Sequence, residues 1–202
     1  AALLSLTPWH HDRILVDPFC GSGTFLIEAA MIACHIAPGL NREFVSMDWD
    51  NLIEQTTWKE CFAEAFAEVD MSVECDLQGY DIDPEMVKIA RLNAKQAGVA
   101  EKIHFQTRDV ADLRHPKKYG FIVTNPPYGE RLEDKKDLPK LYATLGEVYK
   151  RLDSWSMFVI TSYEEAPKYI DKKVDKNRKI YNGMIKTYFY QFLGPKPPKK
   201  NK

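Results

Sequence analysis

The chain has 202 residues, 45% of them hydrophobic and 28% charged, with a formal net charge of −1. That balance excludes a disordered chain, and a fold of this size buries roughly 70% of the surface its unfolded form exposes, which suits one domain with a substantial core. No stretch approaches the ~18 consecutive apolar residues of a membrane span, and Trp9 to Arg13 interrupt the apolar start too early for a signal peptide.

The first residues, Ala1 to Leu6, lack an initiator Met and read as the middle of a helix, so a fragment of a longer protein is expected. Arg13 to Asp17 reads as a buried strand that ends in an acid. Thr24 to Ala37 carries apolar residues at helical spacing, with Pro38-Gly39 as its stop. The stretch from about 41 to 76 interrupts the alternation of elements and reads as a helical insertion, with its helix over Trp58 to Val69. Leu77 to Asp81 is a second strand. Pro84 to Ala97 is a helix, with Asp83 as N-cap, Pro84 at its first position and Gly98 after its end. Ile103 to Thr107 and Phe121 to Thr124 are the third and fourth strands. Leu138 to Leu152 is helical, and Met157 to Thr161 is a fifth strand. Arg178 to Tyr181 and Lys186 to Phe192 flank Asn182-Gly183, a hairpin signal in a loop of two residues or more. The aromatic run Tyr188, Phe189, Tyr190 and Phe192 fits core better than a base-stacking platform. The alternation predicts a parallel sheet with helices on both faces, closed by a hairpin that adds one antiparallel strand.

Charge and cysteine usage narrow the setting. From Lys172 to Lys202 there are ten Lys or Arg against a single acid, Asp175, on an otherwise acidic body. This points to a polyanion partner, or to a solvated tail. Cys20, Cys34, Cys61 and Cys75 stand apart with no C-x-x-C pair, so neither a zinc site nor a disulfide framework is expected and a reduced, cytoplasmic setting is the default. His10 and His11 have no partner in metal-ligand spacing and read as solvated.

Four motifs carry chemistry, each at the end of a strand. Asp17-Pro18-Phe19-Cys20-Gly21-Ser22-Gly23-Thr24 follows the first strand and opens a helix, so its glycines let backbone approach a ligand or simply make a tight turn. A dinucleotide fingerprint would need Gly where Leu26 stands, and a P-loop would need a Gly-Lys-Ser/Thr run that the chain lacks. Gly79-Tyr80-Asp81-Ile82-Asp83 ends the second strand, where Asp81 can accept both hydroxyls of a ribose. Arg108-Asp109-Val110 ends the third, where Asp109 can accept from an adenine amino group. Three acids at consecutive strand ends repel a pyrophosphate and favour S-adenosylmethionine over a nicotinamide dinucleotide. Thr124-Asn125-Pro126-Pro127-Tyr128-Gly129 follows the fourth strand. Its prolines stiffen a loop whose Asn125 amide and Pro126 carbonyl can accept from an exocyclic amino group, while Tyr128 stacks on the ring that bears it.

Taken with M-V-x-x-A-R-x-N-A-x-x-A-G-V after the second strand and T-N-P-P-Y-G-E-R-L after the fourth, these strings resemble the RNA methylase family that includes the THUMP-associated guanine 2-amino methyltransferases of 23S ribosomal RNA and related transfer-RNA enzymes. The resemblance runs from about Leu3 to about Leu193, and its most specific part is Gly129-Glu130-Arg131-Leu132. It implies a Rossmann-like class I methyltransferase of the α/β class, with a mostly parallel seven-stranded sheet and one antiparallel strand. It places the cofactor loop on Asp17 to Thr24, the ribose acid on Asp81 and the adenine-proximal acid on Asp109. Ile82 and Val110 stand beside those acids, and Asn125 is shared between cofactor and substrate. It places the catalytic loop on Asn125, Pro126, Pro127 and Tyr128. It implies S-adenosyl-L-methionine as cofactor, S-adenosyl-L-homocysteine as product, RNA as partner, and neither metal nor membrane. The domain is expected over 1–194, with 195–202 as a basic tail and the family's preceding RNA-binding domain outside the fragment. Lys172 onward, with Lys135 and Lys136, would guide the RNA backbone. A DNA adenine 6-amino methylase, a transfer-RNA guanine methylase and an inactive cofactor-binding RNA module are the competing readings.

Overall fold

The structure is a computed structural model that describes residues 1–128 and 136–198. The expectations for Gly129 to Leu132, Lys135 and Lys199 to Lys202 lie outside the described residues. After a short helix α1 (Ala2–Ser5), the elements are β1 (Leu15–Asp17), α2 (Thr24–Ala33), α3 (Gln55–Ala67), β2 (Leu77–Asp81), α4 (Pro84–Gln96), β3 (Ile103–Thr107), β4 (Phe121–Thr124), α5 (Leu138–Arg151), β5 (Ser156–Thr161), α6 (Ala166–Ile170), β6 (Lys176–Asn182) and β7 (Ile185–Phe192).

The strands form a seven-stranded sheet in the order β3-β2-β1-β4-β5-β7-β6. The first five are parallel to their neighbours, while β7 runs antiparallel to both β5 and β6. Each face is apolar, because consecutive strand residues point to opposite sides. Leu15, Phe121, Val123 and Phe158 pack with Leu26, Ala30 and Ala90 of α2 and α4. Val16, Ile122, Met157 and Val159 pack with Leu145 and Val148 of α5. These are the helices on both faces that the alternation predicts.

Most element boundaries agree with the sequence pattern, and the departures have local causes. β1 starts at Leu15 rather than Arg13. The Arg13 amide closes a turn on the His10 carbonyl, and its guanidinium donates to the Tyr119 carbonyl and lies 4.6 Å from the Phe121 ring centroid. Helix α2 stops at Ala33, four residues before the expected end. His35 takes φ +56, Ile36 N–H donates to Met31 and His35 N–H to Ile32, a closing motif that Pro38 and Gly39 do not enter. The end of α4 repeats that motif with Gly98 at φ +73, where sequence reading expects it.

The hairpin turn falls within the expected loop, with one more register pair than expected. Asn182 pairs with Ile185, leaving Gly183 and Met184 as a two-residue loop with Gly183 at φ +59. Helix α6 escaped prediction, since five residues are too few for periodicity to register. Helix α3 begins three residues before the expected Trp58 and buries none of its residues; Phe44 stacks on Trp58 at 6.1 Å. No helix among the described residues is long and apolar enough to cross a membrane.

Candidate active site

The order of the strands brings the four motifs together. Parallel pairing puts the carboxyl ends of β1 to β4 on one edge, and β1 lies between β2 and β4, where the winding of the sheet reverses. Ligands of open α/β sheets bind in the crevice outside such a reversal.

The loop after β1 is held from four sides. The Cys20 amide donates to the Tyr80 carbonyl at 2.8 Å, and the Gly21 amide donates to Asp81 Oδ2 at 2.9 Å. Asn93 of α4 donates to the Ser22 carbonyl at 2.9 Å, and the Ser22 and Thr24 hydroxyls lie 3.1 Å apart. Gly21 and Gly23 take φ +50 and +84, a region that costs an L-residue energy. A Cβ on Gly23 would stand 2.9 Å from Phe105 Cζ, whereas one on Gly21 would meet only Met86 Cε within 4 Å, at 3.8 Å. Space therefore opens above Gly21, and the loop below it is packed.

The three acids play different parts. Asp81, half-buried at the end of β2, accepts from the amides of Gly21 and Asp83 and keeps lone pairs for a further donor. Asp83 accepts from the Glu85 amide at 2.8 Å and caps α4, as expected. Asp109 is exposed; it lies two residues beyond β3 and caps a 3-10 turn through the Ala111 amide at 2.8 Å.

Asp17 is 1% exposed and accepts from the Thr124 hydroxyl at 2.6 Å and the Phe19 amide at 3.1 Å. Burial raises its carboxyl from 3.8 to about 7; Asp81 nearby adds to the rise and the two hydrogen bonds oppose it. Asp17 is thus a strut that ties the loop after β1 to the residue before Asn125. Pro18 and Cys20 are buried and Phe19 is half-buried, so these residues of the motif brace the loop. Burial and then the two acids push the Cys20 thiol up, which leaves it unreactive. Val110 is likewise buried, while Ile82 is 69% exposed beside Asp81 and offers an apolar face at the edge.

The loop after β4 is set differently. Asn125 and Pro127 are exposed, Pro126 is buried and Tyr128 is half-buried. The Tyr128 hydroxyl donates to Asn125 Oδ1, which fixes the amide with its oxygen as the acceptor. Behind Tyr128 stands an aromatic group. The Tyr142 hydroxyl lies 2.6 Å from Thr161 Oγ1, and its ring is 5.5 Å from Tyr163. Burial first, then the Tyr128, Tyr163 and Tyr190 hydroxyls, push the Tyr142 phenol up, so it stays neutral.

Sequence reading placed the strand-end residues at one edge but missed the Tyr128–Asn125 bond, the Thr124–Asp17 bond and the Asn93 brace. Asn93 did carry a signal, an amide in mid-helix with no local partner. Among the described residues no cluster of His, Cys, Asp and Glu is arranged to hold a metal ion.

A doubly wound sheet with a seventh strand antiparallel, a glycine turn at the winding reversal and acids on the next two strands define a class I S-adenosylmethionine-dependent methyltransferase domain. The chain belongs to the UPF0020 family, the RMKL-like methyltransferase domain, which matches residues 1–191. It is 43% identical to YpsC of Bacillus subtilis (strain 168), provisionally named an RNA methyltransferase, over 100% of this chain and 52% of that protein. It is 40% identical to ribosomal RNA large subunit methyltransferase K/L of Shewanella frigidimarina (strain NCIMB 400), over 94% of this chain and 27% of that protein. SMU.472, provisionally a methyltransferase and solved with S-adenosylhomocysteine, superposes with a TM-score of 0.92 at 39% identity, over 98% of this chain and 52% of that one. The chain thus spans about half of the B. subtilis relative and about a quarter of the Shewanella one. The cofactor of this domain class is the one that the strand-end acids favour.

Proposed function

We propose that this domain methylates the exocyclic 2-amino group of a guanine in RNA, with 23S ribosomal RNA as the substrate. The observation that carries this reading is Asn125, its amide oxygen held as an acceptor by Tyr128 at the edge that also carries the glycine turn and Asp81. The residues present fit the cofactor: space opens above Gly21, Asp81 offers acceptors to a ribose, and the acids suit a cationic ligand rather than a phosphate. When bound, S-adenosyl-L-methionine would supply an electrophilic methyl on a sulfonium, the broken S–C bond leaving its electron pair on sulfur as S-adenosyl-L-homocysteine.

The guanine amine is a weak nucleophile, because its lone pair is conjugated with the ring. Asn125 Oδ1 and the Pro126 carbonyl accept from its two hydrogens, favour a pyramidal nitrogen and stabilise positive charge as the new N–C bond forms. The methylated nitrogen then releases a proton to water without a strong base. Tyr128 stacks on the base, which must leave its helix to present the nitrogen in line. The Tyr128 hydroxyl yields its place on Asn125 to the arriving amine.

The same acceptors serve an adenine 6-amino group, so the base must be identified directly. The experiment is nucleoside mass spectrometry of RNA and DNA from a deletion strain. Loss of 2-methylguanosine from large-subunit RNA is the expected result. Loss of 6-methyladenine from DNA would replace this reading with a DNA methylase, and loss from transfer RNA would move the substrate. The domain as proposed covers 1–194 with a tail at 195–202, works in the cytoplasm, and depends on an RNA-binding module elsewhere in a longer protein.

A further inference from the structure

The β6–β7 hairpin overhangs the edge that carries the site. β5 ends at Thr161, which pairs with Tyr188, yet the hairpin continues for three further register pairs, from Ile180–Thr187 to Asn182–Ile185. At ~3.4 Å per residue its tip stands about 10 Å beyond that edge. The strand order sets β7 two strands from β4, about 10 Å from the Asn125 loop at the usual strand spacing.

One face of this overhang alternates cation and ring. Lys179 pairs across the ladder with Tyr188, and Tyr181 with Lys186. The Lys179 ammonium lies 5.3 Å from the Tyr181 ring and the Lys186 ammonium 5.2 Å from the Tyr188 ring. Lys179 is exposed, Tyr181 is 61% exposed and Met184 at the tip fully so. The group continues inward: Tyr188 stacks 5.7 Å from Tyr190, whose hydroxyl donates to the Glu164 carbonyl at 3.4 Å, next to Tyr163 and the Tyr142 that backs Tyr128. Among the described residues, Glu164 takes Lys186 at 2.5 Å and accepts from the Tyr188 hydroxyl at 3.3 Å, and Glu165 accepts from the Tyr163 hydroxyl at 3.3 Å.

We propose that this face, Lys179 and Tyr181 above all, is a docking platform for the single-stranded RNA that flanks the target nucleotide. A base stacked on an exposed tyrosine with lysines on the backbone is the general means of gripping unpaired nucleic acid. Charge complementarity names the occupant, since the hairpin from Lys176 to Phe192 carries four Lys or Arg and no acid of its own. The offset of about 10 Å from the Asn125 loop suits the neighbours of a flipped base rather than the base itself. The sequence assigned this aromatic run to the core, and Phe189, Tyr190 and Phe192 are core with Tyr188 half-buried against it; Tyr181 joins the platform from the other strand of the hairpin.

The inference rests on the RNA-methylase reading, and the test separates the two. Full-length protein is titrated with a short labelled single-stranded oligoribonucleotide, with a duplex of the same sequence and with S-adenosylhomocysteine, over a series of salt concentrations. Tyr181→Ala should weaken single-strand binding roughly five- to a hundredfold, the range for losing one stacked base. Lys179→Ala should reduce the salt slope by about 0.7, the loss of one phosphate contact on a single strand. Binding of S-adenosylhomocysteine should stay unchanged in both, which also shows that both variants fold. Unchanged single-strand affinity and slope, with RNA still methylated, would overturn the platform and leave the function standing. Equal losses on duplex and single strand would overturn it as well, in favour of plain electrostatic attraction. Failure of the wild-type protein to methylate any RNA would overturn the function, and the platform with it.

Discussion

The two halves of the candidate site are built by opposite means. On the β1–β2 side, backbone is held by backbone and by neighbouring side chains: the Cys20 amide on Tyr80, the Gly21 amide on Asp81, the Ser22 carbonyl on Asn93, and Gly23 packed against Phe105 and Ala90. On the β4–β7 side the groups that face solvent are side chains on a short proline-stiffened loop and on an overhanging hairpin. The first half suits a ligand that never varies, because its donors and acceptors are fixed before the ligand arrives. The second suits a polymer, whose flanking units must be received by groups that can adapt. A buried pair, Asp17 and Thr124, joins the halves.

The sharpest break is expected at Asn125. Asn125→Ala should lower turnover on RNA by roughly 10²–10³, the effect of losing one preorganised polar contact in the transition state, with cofactor affinity nearly unchanged. Single-turnover kinetics beside calorimetry measure both, and a parallel loss of cofactor affinity would erase the division between the halves. Gly23→Ala should do the reverse. Its φ of +84 and the Phe105 contact at 2.9 Å should cost roughly 2–4 kcal/mol of stability, read by chemical denaturation. Asp81→Ala should weaken cofactor binding by roughly 1.5–3 kcal/mol, since it removes acceptors from the ribose and the anchor of the Gly21 amide. Unchanged calorimetric affinity would remove Asp81 from the site.

The joint between the halves should show in pH. Asp17 is raised to about 7 from 3.8, so the native state favours its protonated form. The stability this provides is complete below about pH 4 and is lost as pH rises to about 7, by at most about 1.4 kcal/mol per pH unit. Asp17→Asn keeps an acceptor for Thr124 and should remove that slope, so denaturation curves of the two proteins should diverge between pH 4 and 7. Parallel curves would mean that Asp17 is ionised throughout. The smallest effect belongs to Tyr128→Phe. It keeps the ring and loses the bond to Asn125, so turnover should fall by no more than roughly tenfold, the worth of one neutral hydrogen bond. Tyr128→Ala should lose more. Equal losses in the two variants would give the hydroxyl, rather than the ring, the main role.

The α/β alternation, the strand ends and the helix caps were legible in the residues because each depends on near neighbours. Asp83 before Pro84 marks a helix start, Gly98 marks an end, and Asn125-Pro126-Pro127 cannot continue a strand. The four motifs could be placed at strand ends for the same reason. Where reading failed, a backbone choice had no residue signature. His35 closes α2 in a conformation that glycine usually serves.

What only the tertiary structure decided is which strand-end residues stand open at the edge and which face protein. Asp17 and Asp81 look alike in sequence, each an acid that ends a strand. β1 lies inside the sheet between β2 and β4, so its terminal carboxylate is enclosed, bonded to Thr124 and raised, while the carboxylate ending β2 stays half-exposed and accepts from the loop beside it. The aromatic run of β7 divides on the same principle. Alternation along the strand is local and legible; where the sheet edge falls across the strand is set by partners some thirty residues away, so Phe189 is core and Tyr188 stands at the rim.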